Sequence, residues 1–441
     1  MSTTLQSIDW SALGDDERRE LLRRPAQRDT GTLLASAALI VDQVRSRGDA
    51  ALREYTARFD GVKLESLAVT AAEFDEAAAD ITREQLAALR RAIETVTRFH
   101  ETQSLEPVRV QTAPGVNCER VFVPIDAVGL YVPAGTAPLP STAIMLAVPA
   151  RLARCPLRVL CTPPRPDGRA DPAVLVAARL CGIETVFKVG GAQAIAAMAY
   201  GTESVPKVNK VFGPGNSWVT AAKQLVAADA DGAALDMPAG PSEVLVIADD
   251  AATAEFVAAD LLAQAEHSED AQVVLVTTTR GFAEQCIVEV ERQLASLPRR
   301  EIAARAIAGS RVILVPDLDT ALEVSNMYAP EHLILQVRSP RRWLERVRNA
   351  GSVFLGAWTP ETMGDYCSGT NHVLPTYGHA RAYSGLGVLD FVRRMTVQEV
   401  TPEGLADLGL TARVLARLEA LEGHANAVTV RLDAITAGTP Q

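Results

Sequence analysis

Short apolar runs alternate with helical segments through the middle of the chain, and this alternation constrains the fold more than any other feature. Residues 157–162, 185–189 and 208–212 form such runs, and residues 172–181 have the composition of a helix. Short runs of this length, rich in apolar residues, are typical of strands. The alternation therefore predicts an α/β fold with parallel sheets.

The same alternation returns in the second half of the chain. Apolar runs occupy residues 244–248, 273–277 and 312–316, and a long helical segment covers residues 281–296. We therefore predict two incomplete Rossmann-like units, each with a parallel sheet, although the sequence shows no clear internal repeat. The predicted segments of the chain are 1–120, 121–235, 236–380 and 381–441.

Helical patterns dominate both ends of the chain. Residues 33–44 carry apolar side chains at helical spacing, and Thr82 and Gln85 form a capping box ahead of a second apolar face. His100 occupies a core-facing position on that face, so we interpret it as a packing residue. From Leu405 onwards apolar residues again recur at helical spacing. These patterns predict a helical N-terminal region and a helical C-terminal tail.

Composition and charge exclude several classes of protein. The 441-residue chain is 48% hydrophobic and 22% charged, which is typical of an ordered globular protein. Its formal net charge of -11 argues against a nucleic-acid partner, because phosphate binding needs clustered Lys and Arg residues. We expect no secretory signal, no membrane span and a cytoplasmic location. The six cysteines form no CxxC pair, and we expect most of them to be buried thiols in a reducing compartment.

Two strand-to-helix turns contain glycine. One follows the run at 185–189 with Gly190 and Gly191, and the other follows the next run with Gly213 and Gly215. Such turns let the phosphates of a nucleotide approach backbone N–H groups and a helix N-terminus. The chain has no GxGxxG fingerprint, and similar turns also have purely structural roles, so both interpretations stay open.

The stretch from Asp236 to His267 predicts a turn at residues 239–242, a buried strand and a helix. Gln264 and His267 are three residues apart, which puts an amide oxygen and an imidazole on one face at the end of that helix. The two side chains could supply half of a metal site. They could equally be ordinary cap and surface residues, because two residues do not define a coordination sphere.

Further ionisable residues precede an apolar strand predicted at residues 333–337. Pro330 keeps the preceding residue out of helical geometry, so Glu331 and His332 lie on a stiff turn at the start of a strand. A carboxylate beside an imidazole provides two proton acceptors whose pKa values burial can move toward neutrality, although a solvated pair is the alternative. Asp365 lies in a Gly-rich stretch from which it could reach a metal ion. His424 lies near the end of a helix, where a cap is the commoner role.

Six motifs give the chain a resemblance to a known family. They are AGPSEVLVIA, DLLAQAEH, GGAQAIAAMAYGTESVPKVNKVFGPGN, APEHL, GDYCSGTNHVLPT and EGHANAV. From about Val121 to about Leu432, these long and ordered motifs resemble the histidinol dehydrogenase family of histidine biosynthesis.

The resemblance implies a set of site residues. Glu331 and His332 would be the catalytic proton acceptors, and His424 would come from the partner subunit of a homodimer. The implied ligands of one zinc ion per subunit are Gln264, His267, Asp365 and His424. The implied NAD contacts are Tyr131, Gln193 and Asn216. The implied substrate contacts are Ser242, Gln264, His267, His332, Asp365, Glu419 and His424.

The resemblance also implies a reaction. L-histidinol would be oxidised through an enzyme-held aldehyde, histidinal, to L-histidine, while two NAD molecules are reduced in succession. His332 would take the hydroxyl proton, and Glu331 would activate water to hydrate the aldehyde. Segment 121–235 would then bind NAD, segment 236–380 would carry the metal and catalytic residues, and segment 381–441 would form a dimerisation tail.

Three alternatives stay open. A paralogue with the same metal and hydride chemistry could oxidise another polar alcohol, such as a sulfonated diol, although Glu419 and His424 favour the cationic histidinol. A zinc hydrolase would form product without NADH. A non-catalytic α/β binding protein would leave the convergence of acids and imidazoles unexplained. Leu235 and Cys367 depart slightly from the family pattern, and a thiol beside a metal ligand predicts sensitivity to oxidation.

Overall fold

The structure, a computed structural model, describes residues 5–24, 30–103, 105–134, 137–238 and 240–438. Ala239, which belongs to the predicted turn at 239–242, lies outside the described residues. The chain divides into two compact units, which are Met1–Thr102 with Ile125–Phe391 and Gln103–Pro124 with Val392–Gln441. The finer division into four segments stays a prediction.

Strands and helices alternate through most of the first unit. The strands of the chain are β1 (Gln6–Asp9), β2 (Val108–Ala113), β3 (Val116–Pro124), β4 (Ala127–Tyr131), β5 (Leu157–Thr162), β6 (Thr185–Lys188), β7 (Lys210–Phe212), β8 (Ala234–Leu235), β9 (Glu243–Ala248), β10 (Gln272–Thr277), β11 (Arg311–Leu314), β12 (His332–Gln336), β13 (Ser352–Leu355) and β14 (Val392–Val400). The α-helices are α1 (Asp15–Leu21), α2 (Thr30–Arg47), α3 (Asp49–Tyr55), α4 (Ala71–Asp80), α5 (Arg83–His100), α6 (Pro140–Leu152), α7 (Pro172–Leu180), α8 (Gly191–Tyr200), α9 (Ser217–Ala228), α10 (Ala254–Ala265), α11 (Arg280–Leu294), α12 (Arg300–Ala308), α13 (Leu318–Tyr328), α14 (Glu361–Tyr366), α15 (Pro402–Leu418) and α16 (Glu422–Thr436).

The first unit contains two parallel sheets with a shared strand order. The first sheet has the order β6-β5-β4-β7-β8, and the second has the order β1-β11-β10-β9-β12-β13. In the first sheet β4 is central, with β5 and β6 on one side and β7 and β8 on the other. In the second sheet β9 has the same position, with β10 and β11 on one side and β12 and β13 on the other, and β1 lies outside β11. Every pairing within these sheets is parallel. The predicted α/β fold with two Rossmann-like units is therefore confirmed.

The central strands are buried because their sequences are mainly apolar, with a polar residue at the start of each. All six residues of β9 and all six of β10 are buried, as the absence of polar alternation predicts. The helices that cover the sheets bury further aliphatic side chains, such as Leu261 on one face and Leu322 on the other. Each fully buried aliphatic side chain contributes about 1.5–3 kcal/mol relative to exposure. The sheets therefore form rigid platforms whose edges can hold a site.

The local signals at the N-terminal end are confirmed in detail. The hydroxyl of Thr82 accepts the N–H of Gln85, and the side chain of Gln85 accepts the N–H of Thr82, which starts α5. His100 ends α5 and is buried, with Nδ1 donating to the carbonyl of Val96 over 2.8 Å. β1 was not predicted, and it extends the second sheet by pairing with β11.

The apolar stretch from Val121 to Tyr131 suggests one strand in the sequence, but the structure divides it between two. The apolar stretch that begins at Val121 and closes at Tyr131 forms the end of β3 and then, separately, β4. β3 is antiparallel to β2 and β14 in the second unit, whereas β4 is parallel to β5 and β7 in the first sheet. The break follows Pro124, which has no N–H with which to continue a ladder.

The second unit consists of this three-stranded antiparallel sheet and the helical pair α15 and α16. Gly409 of α15 lies close to α16, since a Cβ there would be 3.1 Å from a methyl group of Val428. The helical tail is thus confirmed, and β14 is an unpredicted strand that precedes it. Within the described ranges, no helix is long and apolar enough to cross a membrane.

Candidate active site

The first sheet brings its predicted cofactor residues to its carboxyl edge, where the strand order reverses. β4 ends at Tyr131, and the neighbouring β7 ends just before Gly213. Gly213 has a φ of 122°, and a Cβ there would lie 2.2 Å from the carbonyl oxygen of Tyr131. Only glycine allows this approach. Ligands of open parallel sheets bind in the crevice at such a reversal.

The turn after β6 meets the same tyrosine. The N–H of Gly191 donates to the hydroxyl of Tyr131 over 2.9 Å. Gly191 has a φ of 63°, and a Cβ there would lie 2.8 Å from Oε1 of the buried Gln193. Burial raises the pKa of Tyr131 to about 12, so its hydroxyl is neutral. Asn216 caps the neighbouring α9 by accepting two N–H groups of its first turn.

A short segment leads from this edge to the second sheet. Asp236 accepts the N–H of Gly213 over 2.8 Å and forms a buried ion pair with Lys223. The N–H of Gly240 donates to the hydroxyl of Thr376 over 2.5 Å. Ser242 follows and lies directly before β9. The carboxyl edge of the first sheet is therefore tethered to the amino edge of the second.

The predicted proton acceptors lie at that amino edge. Ahead of Pro330, Ala329 adopts a left-handed conformation with a φ of 54°, and His332 then begins β12. Glu331 and His332 are both buried. Oε2 of Glu331 accepts the backbone N–H of Glu243 over 2.9 Å, and Nδ1 of His332 donates to the carbonyl oxygen of Glu243 over 3.2 Å. Because a carbonyl oxygen only accepts, Nδ1 carries a proton and Nε2 is the atom that can act as a base.

Glu361, which sequence reasoning missed, adds a third buried ionisable group to Glu331 and His332. It begins α14, and its Oε1 lies 3.9 Å from Nδ1 of His332. Gln264 lies in the last turn of α10, and the amide orientation that satisfies its neighbours directs its nitrogen to the carboxylate of Glu361, at 3.2 Å from Oε2. Asp365 lies one turn further along α14, with Oδ1 3.5 Å from Nε2 of His332. The signal that could have found Glu361 is its spacing from Asp365, since residues four apart share a helix face.

The surroundings of Asp365 differ from the sequence expectation. The glycines of residues 364–372 predict a loop, but Asp365 lies within α14. Gly364 has a packing role, because a Cβ there would lie 2.6 Å from the ring of Phe354 on β13. The glycine thus lets α14 approach the second sheet closely enough for Glu361 and Asp365 to reach His332.

Burial and mutual charge set the protonation of this cluster. Burial raises the pKa of Glu331 to about 8 and holds the pKa of Glu361 well above its usual range. Burial opposes the charged form of His332, but the negative charges of Glu361, Glu331 and Asp365 raise the pKa of His332 well above its ordinary value. Burial also opposes ionisation of Asp365, yet contact with His332 keeps the pKa of Asp365 low. The cluster can therefore hold and exchange protons near neutral pH.

Two further imidazoles lie near Asp365. His267 lies beyond the end of α10 with an exposed side chain, and its Nδ1 donates to the carbonyl of Ala263 over 3.0 Å. His372 donates from Nδ1 to the backbone carbonyl of Asp365 over 2.8 Å, and its Nε2 lies 3.2 Å from the hydroxyl of Thr142. Both imidazoles lie close enough to Asp365 to add, after His332, to the lowering of the pKa of Asp365. Nε2 of His267 remains available as a ligand atom.

The donor set fits a divalent metal ion. His332, Glu361 and Asp365 each offer one ligand atom within 4.8 Å of the others. Nε2 of His332 is buried and has no hydrogen-bond partner among the described residues. Imidazole nitrogens with carboxylate and amide oxygens suit zinc, and also manganese or cobalt. Of the predicted ligands, Gln264, His267 and Asp365 lie around this cluster.

His424 and Glu419 belong to the second compact unit. His424 lies in the first turn of α16, and Glu419 directly follows α15. Both side chains are exposed. They are thus accessible to another molecule, and the roles that the family resemblance implies for them stay predictions.

Comparisons with known proteins agree with one another. Residues 22–432 match the sequence profile of histidinol dehydrogenase. The histidinol dehydrogenase of Xanthomonas euvesicatoria pv. vesicatoria is 58% identical over 429 residues, which cover 97% of this chain and 99% of that protein. That of Yersinia pestis is 51% identical, with coverage of 97% and 96%. A crystal structure of histidinol dehydrogenase from Elizabethkingia anophelis superimposes with a TM-score of 0.93 at 43% identity, covering 98% of this chain and 99% of that one.

Proposed function

The chain belongs to the histidinol dehydrogenase family, and from that premise we propose that it oxidises L-histidinol to L-histidine in two successive NAD-dependent steps at a zinc site. It is an oxidoreductase of that family. The observation that carries the proposal is the buried Glu331–His332 pair, which adjoins the possible metal ligands Asp365 and Glu361. Two oxidations need a base for each and a means of hydrating the aldehyde between them.

We assign the metal to Gln264, His267 and Asp365, together with a His424 from a second copy of the chain. Zinc bound there would supply positive charge that orients the imidazole and amino nitrogens of histidinol and favours the neutral form of His332. The amide nitrogen of Gln264 donates to Glu361, and this hydrogen bond would orient the amide oxygen of Gln264 as a metal ligand.

His332 is the proposed base of both oxidations. The carbonyl oxygen of Glu243 keeps the proton on Nδ1, so Nε2 faces the reaction as the acceptor of the hydroxyl proton. Glu331, whose pKa burial raises to about 8, takes a proton from the water that hydrates the aldehyde. Burial of both groups withholds the aldehyde from bulk water.

NAD is the proposed hydride acceptor, bound at the carboxyl edge of the first sheet by Tyr131, Gln193 and Asn216. The glycine turns support this assignment, because a Cβ at Gly191 or Gly213 would collide with Gln193 or Tyr131, two of the residues assigned to the cofactor. Ser242 lies on the segment between the two edges and is a proposed substrate contact, as is Glu419.

The proposed assembly is a homodimer with shared active sites. It is supported by exposed apolar side chains at helical spacing on α15, which are Leu410, Val414 and Leu418. A cytoplasmic location is proposed because all six cysteines are free thiols. The alternative substrate, a sulfonated diol, is not favoured by the relatives, whose names specify histidinol.

The test follows NADH formation when the protein is mixed with NAD and L-histidinol, before and after chelation. We expect two NADH per histidine, loss of activity with chelator and recovery with zinc. Product without NADH would support a hydrolase, and activity with a sulfonated diol but not with histidinol would reverse the choice of substrate. Full activity after complete metal removal would eliminate the zinc site.

A further inference from the structure

We propose that Arg24 and Glu243 are positioning residues, which hold the Glu331–His332 pair in the geometry needed for proton transfer. The inference rests on the proposed function, because it concerns the alignment of the base for histidinol oxidation. Neither side chain touches the reacting atoms. They act through the first peptide groups of β9, to which both proton acceptors are hydrogen-bonded.

Arg24 and Glu243 form a buried two-point ion pair. Nε of Arg24 lies 2.5 Å from Oε2 of Glu243, and Nη2 lies 2.7 Å from Oε1. Arg24 is 5% exposed and Glu243 is 1% exposed. Two parallel hydrogen bonds fix the orientation of both planar groups, which a single contact does not do.

Tyr328 contacts both members of this ion pair. Its ring centroid lies 3.9 Å from the guanidinium carbon of Arg24, and its carbonyl oxygen accepts Nη2 of Arg24 over 2.9 Å. Its hydroxyl lies 3.2 Å from Oε2 of Glu243 and 2.8 Å from Oε1 of Gln272 on β10. The carboxylate of Glu243 is therefore held by Arg24 and Tyr328 at once.

The backbone of Glu243 connects the ion pair to both proton acceptors. Its N–H donates to Oε2 of Glu331 over 2.9 Å, and its carbonyl oxygen accepts Nδ1 of His332 over 3.2 Å. The register of β12 with β9 begins at His332 opposite Val244, so Glu243 lies just outside that ladder. The peptide groups of Glu243 are therefore held in place by its own side chain and by the pairing of Glu243 with Gln272 of β10.

Stability alone does not account for such a pair. Removing two charges from water costs free energy that their attraction often fails to recover, and well-packed apolar residues can replace a buried ion pair without loss. The position of a reacting group affects the rate strongly, because a displacement of about 1 Å can cost roughly a hundredfold in rate. We therefore assign the contribution of Arg24 and Glu243 to the position of the proton acceptors.

The test compares Arg24→Met, Arg24→Lys and Glu243→Gln with a matched control, Glu73→Gln. Glu73 pairs with the largely buried Lys188 of β6 over 2.7 Å, and this pair belongs to the first sheet rather than to the second, which holds the proton acceptors. We expect kcat to fall roughly a hundredfold in Arg24→Met and Glu243→Gln, with KM for histidinol, KM for NAD and zinc content near wild type. Arg24→Lys should recover part of kcat, and Glu73→Gln should leave kcat unchanged.

The outcomes separate this inference from the function on which it rests. Wild-type protein that forms no NADH from histidinol would overturn both. Active wild-type enzyme with unchanged kcat in Glu243→Gln would overturn the inference alone, as would an equal loss of kcat in Glu73→Gln. If Arg24→Met does not fold, the isosteric Glu243→Gln decides, because its thermal unfolding can be matched to that of Glu73→Gln.

Discussion

The two parallel sheets share a strand order but use opposite edges. The first sheet presents its carboxyl edge, where Tyr131 meets the glycine turns at Gly191 and Gly213. The second presents its amino edge, where Glu331 and His332 lie beside the start of β9. Strand order alone thus fixes neither the position nor the chemistry of a site.

The two edges are also built from different chemical groups. The carboxyl edge offers glycine turns that lead into the N-termini of α8 and α9, which suits a cofactor that must approach the main chain. The amino edge offers buried ionisable side chains, whose burial and proximity shift their pKa values. One edge is therefore suited to binding and the other to proton transfer. The following predictions perturb one edge at a time.

The largest effect should come from His332→Asn at the amino edge. The amide cannot accept the hydroxyl proton, so we expect turnover to fall by about 10²–10⁴-fold. Zinc content and NAD affinity should persist, since neither is assigned to this side chain. The measurement is steady-state NADH formation with metal analysis of the same sample. His100→Asn, which replaces a buried packing histidine, is the control, and near-normal turnover of His332→Asn would exclude it as the base.

A smaller effect should follow Tyr131→Phe at the carboxyl edge. The change removes the acceptor of the Gly191 N–H, and leaving such a donor unsatisfied costs about 1–3 kcal/mol. We expect the NAD KM to rise about tenfold, which corresponds to about 1.4 kcal/mol, with the histidinol KM unchanged. Tyr200→Phe, at the other end of α8, is the matched control, and an equal rise in both variants would argue against a specific role for Tyr131.

The smallest effect concerns Cys367, which directly follows α14. Its thiol is partly exposed and lies 3.8 Å from the sulfur of Met363, whereas four of the other five cysteines are buried. Cys367→Ser should leave resting activity intact and preserve it during mild peroxide treatment that inactivates the wild type. Cys118→Ser, the other partly exposed position, should give no protection. Unchanged wild-type activity after prolonged peroxide would refute this.

Local signals predicted much of the fold. The strand predicted at 157–162 has those bounds as β5, because a continuous apolar run between polar segments has few alternative conformations. The turn before Glu331 was also predictable, since Pro330 restricts the residue before it. The glycine turns after β6 and β7 were predictable for the same reason, as backbone conformation is a local property.

Long-range relations were not predictable in this way. Arg24 and Glu243 are 219 residues apart, and no spacing or period links them. The pairing of β1 with β11 and of β3 with β14 depends likewise on which edges meet in the folded chain. Glu361 was missed because a Gly-rich segment obscured a short helix, although its spacing from Asp365 was informative. The family resemblance supplied the ligand set that the residues alone left incomplete.

We assign NAD binding to the carboxyl edge of the first sheet and metal binding to the amino edge of the second. The most direct test of this assignment measures NAD affinity and zinc content in the same preparations of Gly191→Val and Asp365→Asn. Gly191→Val forces a β-branched residue into a φ of 63°, and Asp365→Asn removes a charged ligand. We predict that Gly191→Val weakens NAD binding with full zinc content, and that Asp365→Asn loses zinc with NAD affinity retained. Loss of both properties in either folded variant, or full zinc content in Asp365→Asn, would contradict the account.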